Sequence, residues 1–184
     1  MKSSSEKSFI KEAAGWVLYI LIILALTYFV ITFIGQRTKV DGHSMEPTLS
    51  DGDNLIVDKL SYRFKDPARY DIIIFPYQHA ENVYYIKRII GLPGDTVQVK
   101  DDGYVYINGE RSTENYGAEL MDHGGIASEP LTLGEDEYFV LGDNRNHSSD
   151  SRDPMVGILK REHIIGRALV RIYPFNKMGV IKHE

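Results

Sequence analysis

Tyr84-Tyr85-Ile86-Lys87-Arg88-Ile89-Ile90-Gly91-Leu92-Pro93-Gly94-Asp95 is the stretch that decides the fold. Its first half is rich in β-branched and aromatic residues, the composition of a strand. Its second half, Leu92-Pro93-Gly94-Asp95, fits a type II turn, with Pro93 presetting φ and Gly94 accepting φ > 0. Two cations stand side by side on an otherwise apolar run. On a strand Lys87 shares a face with Tyr85 and Ile89, and Arg88 shares the other with Ile86 and Ile90.

Working outward, the same pattern recurs. Leu55-Ile56-Val57 and Asp71-Ile72-Ile73-Ile74-Phe75 precede it, together with Val83-Tyr84-Tyr85-Ile86 at its own start. After it, Thr96-Val97-Gln98-Val99-Lys100 and Tyr104-Val105-Tyr106-Ile107 flank Asp101-Asp102-Gly103 as a hairpin, and Asn108-Gly109 makes another turn. Residues 110–134 lack periodicity and read as an irregular excursion. Tyr138-Phe139-Val140-Leu141 is a strand entering a polar loop, and Ala168 to Tyr173 is a late strand stopped by Pro174. The only helical candidate in this part is short, near Lys160–Ile164. The expected fold class is mainly β: one N-terminal transmembrane helix followed by a mostly antiparallel, barrel-like sheet domain.

The helix is read from Ala13 to Gln36, which holds no Asp, Glu, Lys or Arg. At about 1.5 Å per residue the run spans about 36 Å, enough to cross a bilayer. Trp16 and Tyr19 at one end, and Tyr28 and Phe33 toward the other, suit membrane interfaces. A buried core helix is disfavoured because the run is apolar on every face. A cleaved leader is disfavoured because no Ala-x-Ala-like site follows in Phe33-Ile34-Gly35-Gln36-Arg37-Thr38. Lys2, Lys7 and Lys11 before the span against Arg37 and Lys39 after it lean toward a cytoplasmic N-terminus. The expected organisation is a cytoplasmic tail over 1–12, an anchor over 13–36 and an extracytoplasmic domain over 37–184.

The chain of 184 residues carries a net charge of −5 and no cysteine. It has no basic field of the kind that neutralises phosphates, so nucleic acid is not an expected partner. The lack of cysteine excludes disulfides, a catalytic thiol and a cysteine zinc site.

Val40-Asp41-Gly42-His43-Ser44-Met45-Glu46-Pro47-Thr48-Leu49 lies just past the anchor. Glycine and proline on either side favour an exposed, tightly turned Ser44. Ser44 must sit within roughly 30 Å of the membrane surface, because extended chain covers at most about 3.5 Å per residue. A serine needs a base to become a nucleophile. Histidine is one option: His43 is adjacent, and His147 has Asp143 and Asp150 as possible orienters. Gly42-His43-Ser44-Met45-Glu46, however, lacks the second glycine of a nucleophile elbow. Lysine is the other option, provided burial strips its charge. Lys87 has that setting, and its neighbour Arg88 is excluded because a guanidinium does not deprotonate. Taken alone, a lysine in this setting more often snorkels or pairs with a carboxylate. Lys59, beside Asp58, is a weaker rival. The loop Gly142–Arg152, dense in Asp, Asn and Ser, is either a solvated turn cluster or the group that orients the base. It does not fit a calcium loop, since Arg145 and Ser148 stand at the third and sixth positions from Asp143. As an orienting loop it would offer a hydroxyl to the amine, with pairs such as Asp150 and Arg152 fixing its shape.

Four segments in order behind an N-terminal anchor resemble the type I signal peptidases, the bacterial membrane-bound Ser/Lys proteases. They are Gly42 to Leu49, Tyr70-Asp71-Ile72-Ile73-Ile74-Phe75, Lys87 to Asp95, and Gly142-Asp143-Asn144-Arg145 through Ser148-Ser149-Asp150-Ser151-Arg152. The compact size resembles the short Gram-positive members. The resemblance implies a serine endopeptidase with Ser44 as nucleophile and Lys87 as general base. It implies Ser148 as the hydroxyl orienting the amine, Asp150 and Arg152 as a brace, and Asp143 as a support of the loop. The Ser44 backbone N–H would belong to the oxyanion hole. Some members add a side-chain hydroxyl at the position held here by Gly42, so another group, such as a backbone N–H, must take that place. The implied partners are the signal peptides of exported preproteins, cut after small residues as in Ala-x-Ala, and the lipid bilayer; no cofactor and no metal are expected. The rival readings are a self-cleaving Ser/Lys regulator and a non-catalytic tethered β module.

Overall fold

A computed structural model describes residues 2–29 and 35–183. The first element, α1 (Lys2–Phe29), contains the window Lys11–Tyr28, with mean hydropathy 1.5 and no residue buried in the protein. A window apolar on all sides and unburied has no protein core for its side chains, which fits a bilayer as its surroundings. Residues 30–34 of the expected span, Phe33 among them, lie outside the described residues. The strand β1 (Gly35–Lys39) then takes up Gly35 and Gln36, at the end of that span.

The strands that follow are β2 (Asn54–Asp58), β3 (Ile72–Pro76), β4 (Tyr84–Gly91), β5 (Thr96–Val99), β6 (Val105–Ile107), β7 (Glu110–Arg111), β8 (Leu131–Thr132), β9 (Glu137–Leu141), β10 (Leu159–Lys160), β11 (Gly166–Tyr173) and β12 (Gly179–Val180). They form two antiparallel sheets. The larger runs β1-β2-β11-β3-β4-β9-β10, with β12 beside β11; the smaller runs β7-β6-β5-β8. Among the described residues the larger path ends at β1 and β10, so the domain is mainly β and antiparallel, as expected, without forming a closed barrel.

The expected turns form as their residues require. Gly94 has φ +83°, and Asp95 N–H donates to the Leu92 carbonyl at 3.0 Å. Asn108 and Gly109 both have positive φ, which lets β6 reverse into β7. The helical candidate near Lys160 is a single 3-10 turn, Arg161–His163. The excursion 110–134 is not wholly irregular: it supplies β7 and β8, and β8 pairs β5.

Alternation places the core. Ile72 and Ile74 of β3 pack with Val40, Met45, Leu49, Leu55, Val57 and Ala168. Ile73 and Phe75 pack on the other side with Ile89, Tyr138 and Val140. A third cluster, with Ile90, Val97, Val105, Phe139 and Leu141, joins the small sheet to the large one. The strand β4 is therefore interior, flanked by β3 and β9 and buried from Lys87 to Gly91. Both of its cations are forced out of water.

Candidate active site

Ser44 rides on a loop, Val40–Asp53, that hangs between β1 and β2. Two hydrogen bonds close its base: Val40 N–H to the Asp53 carbonyl at 2.8 Å, and Gly52 N–H to the Val40 carbonyl at 3.0 Å. Met45 and Leu49, four apart on one helical turn, sink into the core and leave Ser44 half-buried at the rim. Gly42 has φ +99°, a region a side chain disfavours, and its N–H donates to Asp51 Oδ1 at 3.0 Å.

Across from the loop stands Lys87. Its Nζ lies 2.8 Å from Ser44 Oγ and donates to the Ile86 carbonyl at 3.1 Å. The Tyr85 ring lies 5.0 Å away. Lys87 is only 3% exposed. Burial pushes the amine down to about 8, against the pull of the Asp150 and Asp143 carboxylates. The alternatives are arranged otherwise. His43 Nδ1 faces Glu46 Oε1 at 3.0 Å, and His147 only lines the cleft. Neither histidine hydrogen-bonds Ser44 among the described residues. Lys59 lines a separate hollow with Arg37, Val57 and Ile74.

The polar loop after β9 is tied down on every side. Asp143 accepts two hydrogen bonds from Arg88, from Nε at 2.9 Å and Nη2 at 2.8 Å, with both side chains buried. Asp150 accepts two from the Arg152 guanidinium, both at 2.9 Å, one from the Arg152 N–H at 3.3 Å and one from Gly142 N–H at 3.0 Å. Arg152 Nη2 also donates to the Arg145 carbonyl. Asn144 connects this loop to the nucleophile: its N–H donates to the Ser44 carbonyl at 3.0 Å and its Nδ2 to the His43 carbonyl at 3.2 Å. Ser148 Oγ is buried with no hydrogen-bond partner, so the structure does not draw the bond to Lys87 that the resemblance implies. Gly142 has no room for a side chain. A Cβ there would press into Ser148 Oγ and come within 2.5 Å of the Ser44 carbonyl oxygen.

Three residues of this assembly escaped the sequence. Arg88 was set aside as a base, yet it anchors Asp143 and also donates to the Tyr70 carbonyl at 3.0 Å. A buried arginine on an apolar strand requires a carboxylate, and that was the available signal. Glu114 and Tyr116 come from the excursion. Glu114 Oε1 meets Arg145 Nη1 at 2.6 Å, and the Tyr116 ring covers the Arg88 guanidinium at 3.7 Å. Nothing in their local sequence points to either role.

Ser44 and Lys87 open into a cleft of about 490 Å³ bounded by Thr38–Met45 on one side and Asn82–Lys87 on the other. One wall is the end of β1 with the loop that carries Ser44, and the other is the start of β4. Such a slot accepts a peptide in extended form, whose alternate side chains point into the walls.

A family model described as signal peptidase, peptidase S26, matches residues 13–173. A probable signal peptidase I-2 of Synechocystis sp. is 41% identical over 177 residues, which cover 92% of this chain and 77% of that protein. Signal peptidase I of Bacillus amyloliquefaciens is 38% identical over 194 residues, covering 99% and 100% of the two. The crystal structure of a signal peptidase I from Enterococcus faecalis V583 is 37% identical and covers 56% of this chain and 97% of that one, at a TM-score of 0.45. The family match takes in most of α1 and every strand from β1 to β11, and both relatives align over more than three quarters of their length. The chain therefore belongs to the signal peptidase family, peptidase S26.

Proposed function

We propose that this protein is a membrane-anchored serine endopeptidase that removes signal peptides from exported preproteins, using Ser44 and Lys87. The observation that carries the reading is the 2.8 Å approach of a buried amine to a serine hydroxyl at the rim of a peptide-sized cleft. Neutral Lys87 takes the Ser44 proton as Oγ attacks the scissile carbonyl. The Ser44 N–H, which donates to no group among the described residues, receives the developing oxyanion. Gly42 offers no side-chain donor, and its N–H is engaged by Asp51. Protonated Lys87 then gives its proton to the leaving amine of the mature protein. The signal peptide stays on Ser44 as an ester until water, deprotonated by Lys87, releases it. Ser148 Oγ, buried and unpaired, supplies the hydroxyl that holds the amine while Ser44 is acylated. Asp150 and Arg152 brace the loop that presents Ser148, and Asp143 ties it to β4 through Arg88.

Side chains two apart on an extended substrate point the same way, so the −1 and −3 residues face one wall of the cleft, where small residues fit best. The anchor lies with its N-terminus in the cytoplasm and the catalytic domain outside. Lys2, Lys7 and Lys11 against Arg37 and Lys39 support that orientation. The bilayer and the preprotein are then partners in the same plane.

The test is cleavage of an Ala-x-Ala preprotein by the full-length protein in detergent. The expected result is one cut after the second alanine, absent with Ser44→Ala and with tryptophan at −1. Undiminished cutting by Ser44→Ala would remove the proposal. A second outcome concerns Gly142. Gly142→Ala is expected to lower kcat about a hundredfold, because its methyl displaces Ser44 or Ser148 and a misplacement of about 1 Å costs that much. Near-normal kcat in a folded Gly142→Ala protein would show that the loop yields without moving the dyad.

A further inference from the structure

The loop that carries Ser44 is also gripped from a side that the reaction does not touch. Two arginines reach Thr48, four residues past Ser44. Arg88, next to Lys87 on β4, approaches Thr48 Oγ1 with Nη2 at 3.4 Å. Arg171, on β11, donates Nη2 to the Thr48 carbonyl at 2.6 Å, and its Nε lies 3.2 Å from Asp53 Oδ2, an ion-pair contact without hydrogen-bond geometry. Asp53 is buried and also accepts the Ser50 N–H at 3.0 Å. Arg171 thus bridges the middle of the loop and its closing end, while lining no part of the cleft. The residue type matters here. A guanidinium fork reaches a carboxylate and a carbonyl together, whereas an ammonium is a single point.

We propose that Arg171 is a positioning residue for the reaction: by spanning Thr48 and Asp53 it sets the height of Ser44 Oγ against Lys87 Nζ. The inference rests on the Ser44/Lys87 reading above. β11 contributes a rigid strand as the reference, and the loop, held at its base, by Asn144 at the Ser44 and His43 carbonyls and by Met45 and Leu49 in the core, is registered to that strand at Thr48 as well. Without that point the Thr48 side of the loop loses its tie to β11, and the distance between hydroxyl and amine is set less tightly by the remaining contacts.

The experiment uses the full-length protein in detergent and an Ala-x-Ala preprotein. Functional sites are counted by a serine-directed acylating probe, so that kcat is expressed per labelled Ser44. Arg171→Lys keeps a positive charge near Asp53 but cannot span both acceptors. The expected result is a kcat roughly tenfold to a hundredfold lower with KM within about twofold and nearly unchanged melting. A residue that only stabilised the fold would lower the melting temperature and the number of labelled sites, leaving kcat per site intact. That outcome overturns the proposal. Asp53→Asn, which retains the acceptor for Ser50 but weakens the grip on Arg171, gives a second reading should Arg171→Lys fail to fold. A several-fold loss of kcat is expected, and unchanged kcat per site overturns the proposal equally. If instead Ser44→Ala cuts like wild type, the Ser/Lys reading itself has failed, and this inference goes with it.

Discussion

Lys87→Ala is expected to lower kcat by about 10⁴-fold while leaving KM for a preprotein within about threefold, because the base is used in the transition state and not in binding. Lys87→Arg should be as inactive, since a guanidinium cannot surrender its proton. The wild-type pH profile carries the sharper prediction. The active form is the neutral amine, so kcat/KM should rise about tenfold per pH unit up to about 8 and then level off. An acid limb near 6.5 would point to a histidine base and sink the assignment. Stability should also rise with pH, but over a higher window. Burial leaves the folded amine at about 8 against an ordinary 10.5, so the unfolded chain holds this proton more tightly. Stability contributed by this site is lowest below pH 8, where the folded protein buries a charged amine. It rises as pH climbs from about 8 to about 10.5. Removing the amine with Lys87→Met should therefore stabilise the domain at pH 7, by up to about 3 kcal/mol from the span of that shift. Thermal melts at pH 7 and pH 10 check the sign, because the advantage of Lys87→Met should shrink at the higher pH.

Asp143→Ala is expected to destabilise the domain by about 3–5 kcal/mol, a large part of the total stability of an ordinary fold. Arg88 is 1% exposed and cannot turn to water once its carboxylate is gone. The Tyr70 carbonyl and the Tyr116 ring remain, but neither neutralises the charge. For a domain of this size the loss corresponds to a fall of about 10–15 °C in the melting temperature. Taking out both charges should cost much less. Arg88→Met with Asp143→Leu leaves no orphaned ion, and the double variant is expected to recover most of the loss. A single variant that melts within about 2 °C of wild type would mean that the pair is not the tie between β4 and the polar loop. Processing by the double variant then tells whether that tie matters to the dyad beyond holding the fold.

The chain alone fixed whatever depends on neighbours in sequence. The span through Lys11–Tyr28 is apolar on every side, and apolar runs such as Ile72–Phe75 and Tyr138–Leu141 became strands. Leu92–Asp95 and Asn108–Gly109 turned where glycine, proline or asparagine permits the needed φ. The proximity of Ser44 and Lys87 came from motif order and from the chemistry that separates lysine from arginine, although alternation left the two cations equivalent.

What folding decided is whatever depends on residues far apart in the chain. The polar stretch Gly35–Lys39 is a strand because β2 supplies its partners, and Glu110–Arg111 and Leu131–Thr132 are strands because β6 and β5 supply theirs. Glu114 finds Arg145, Tyr116 covers Arg88, and Arg171 reaches Thr48 across the sheet. A buried charge takes its partner from whichever segment the sheet order brings beside it, and that order is set by the packing of the whole core, not by any window of sequence. The amine that the chemistry singled out loses its proton readily only because strands on both sides of β4 shut water away from it.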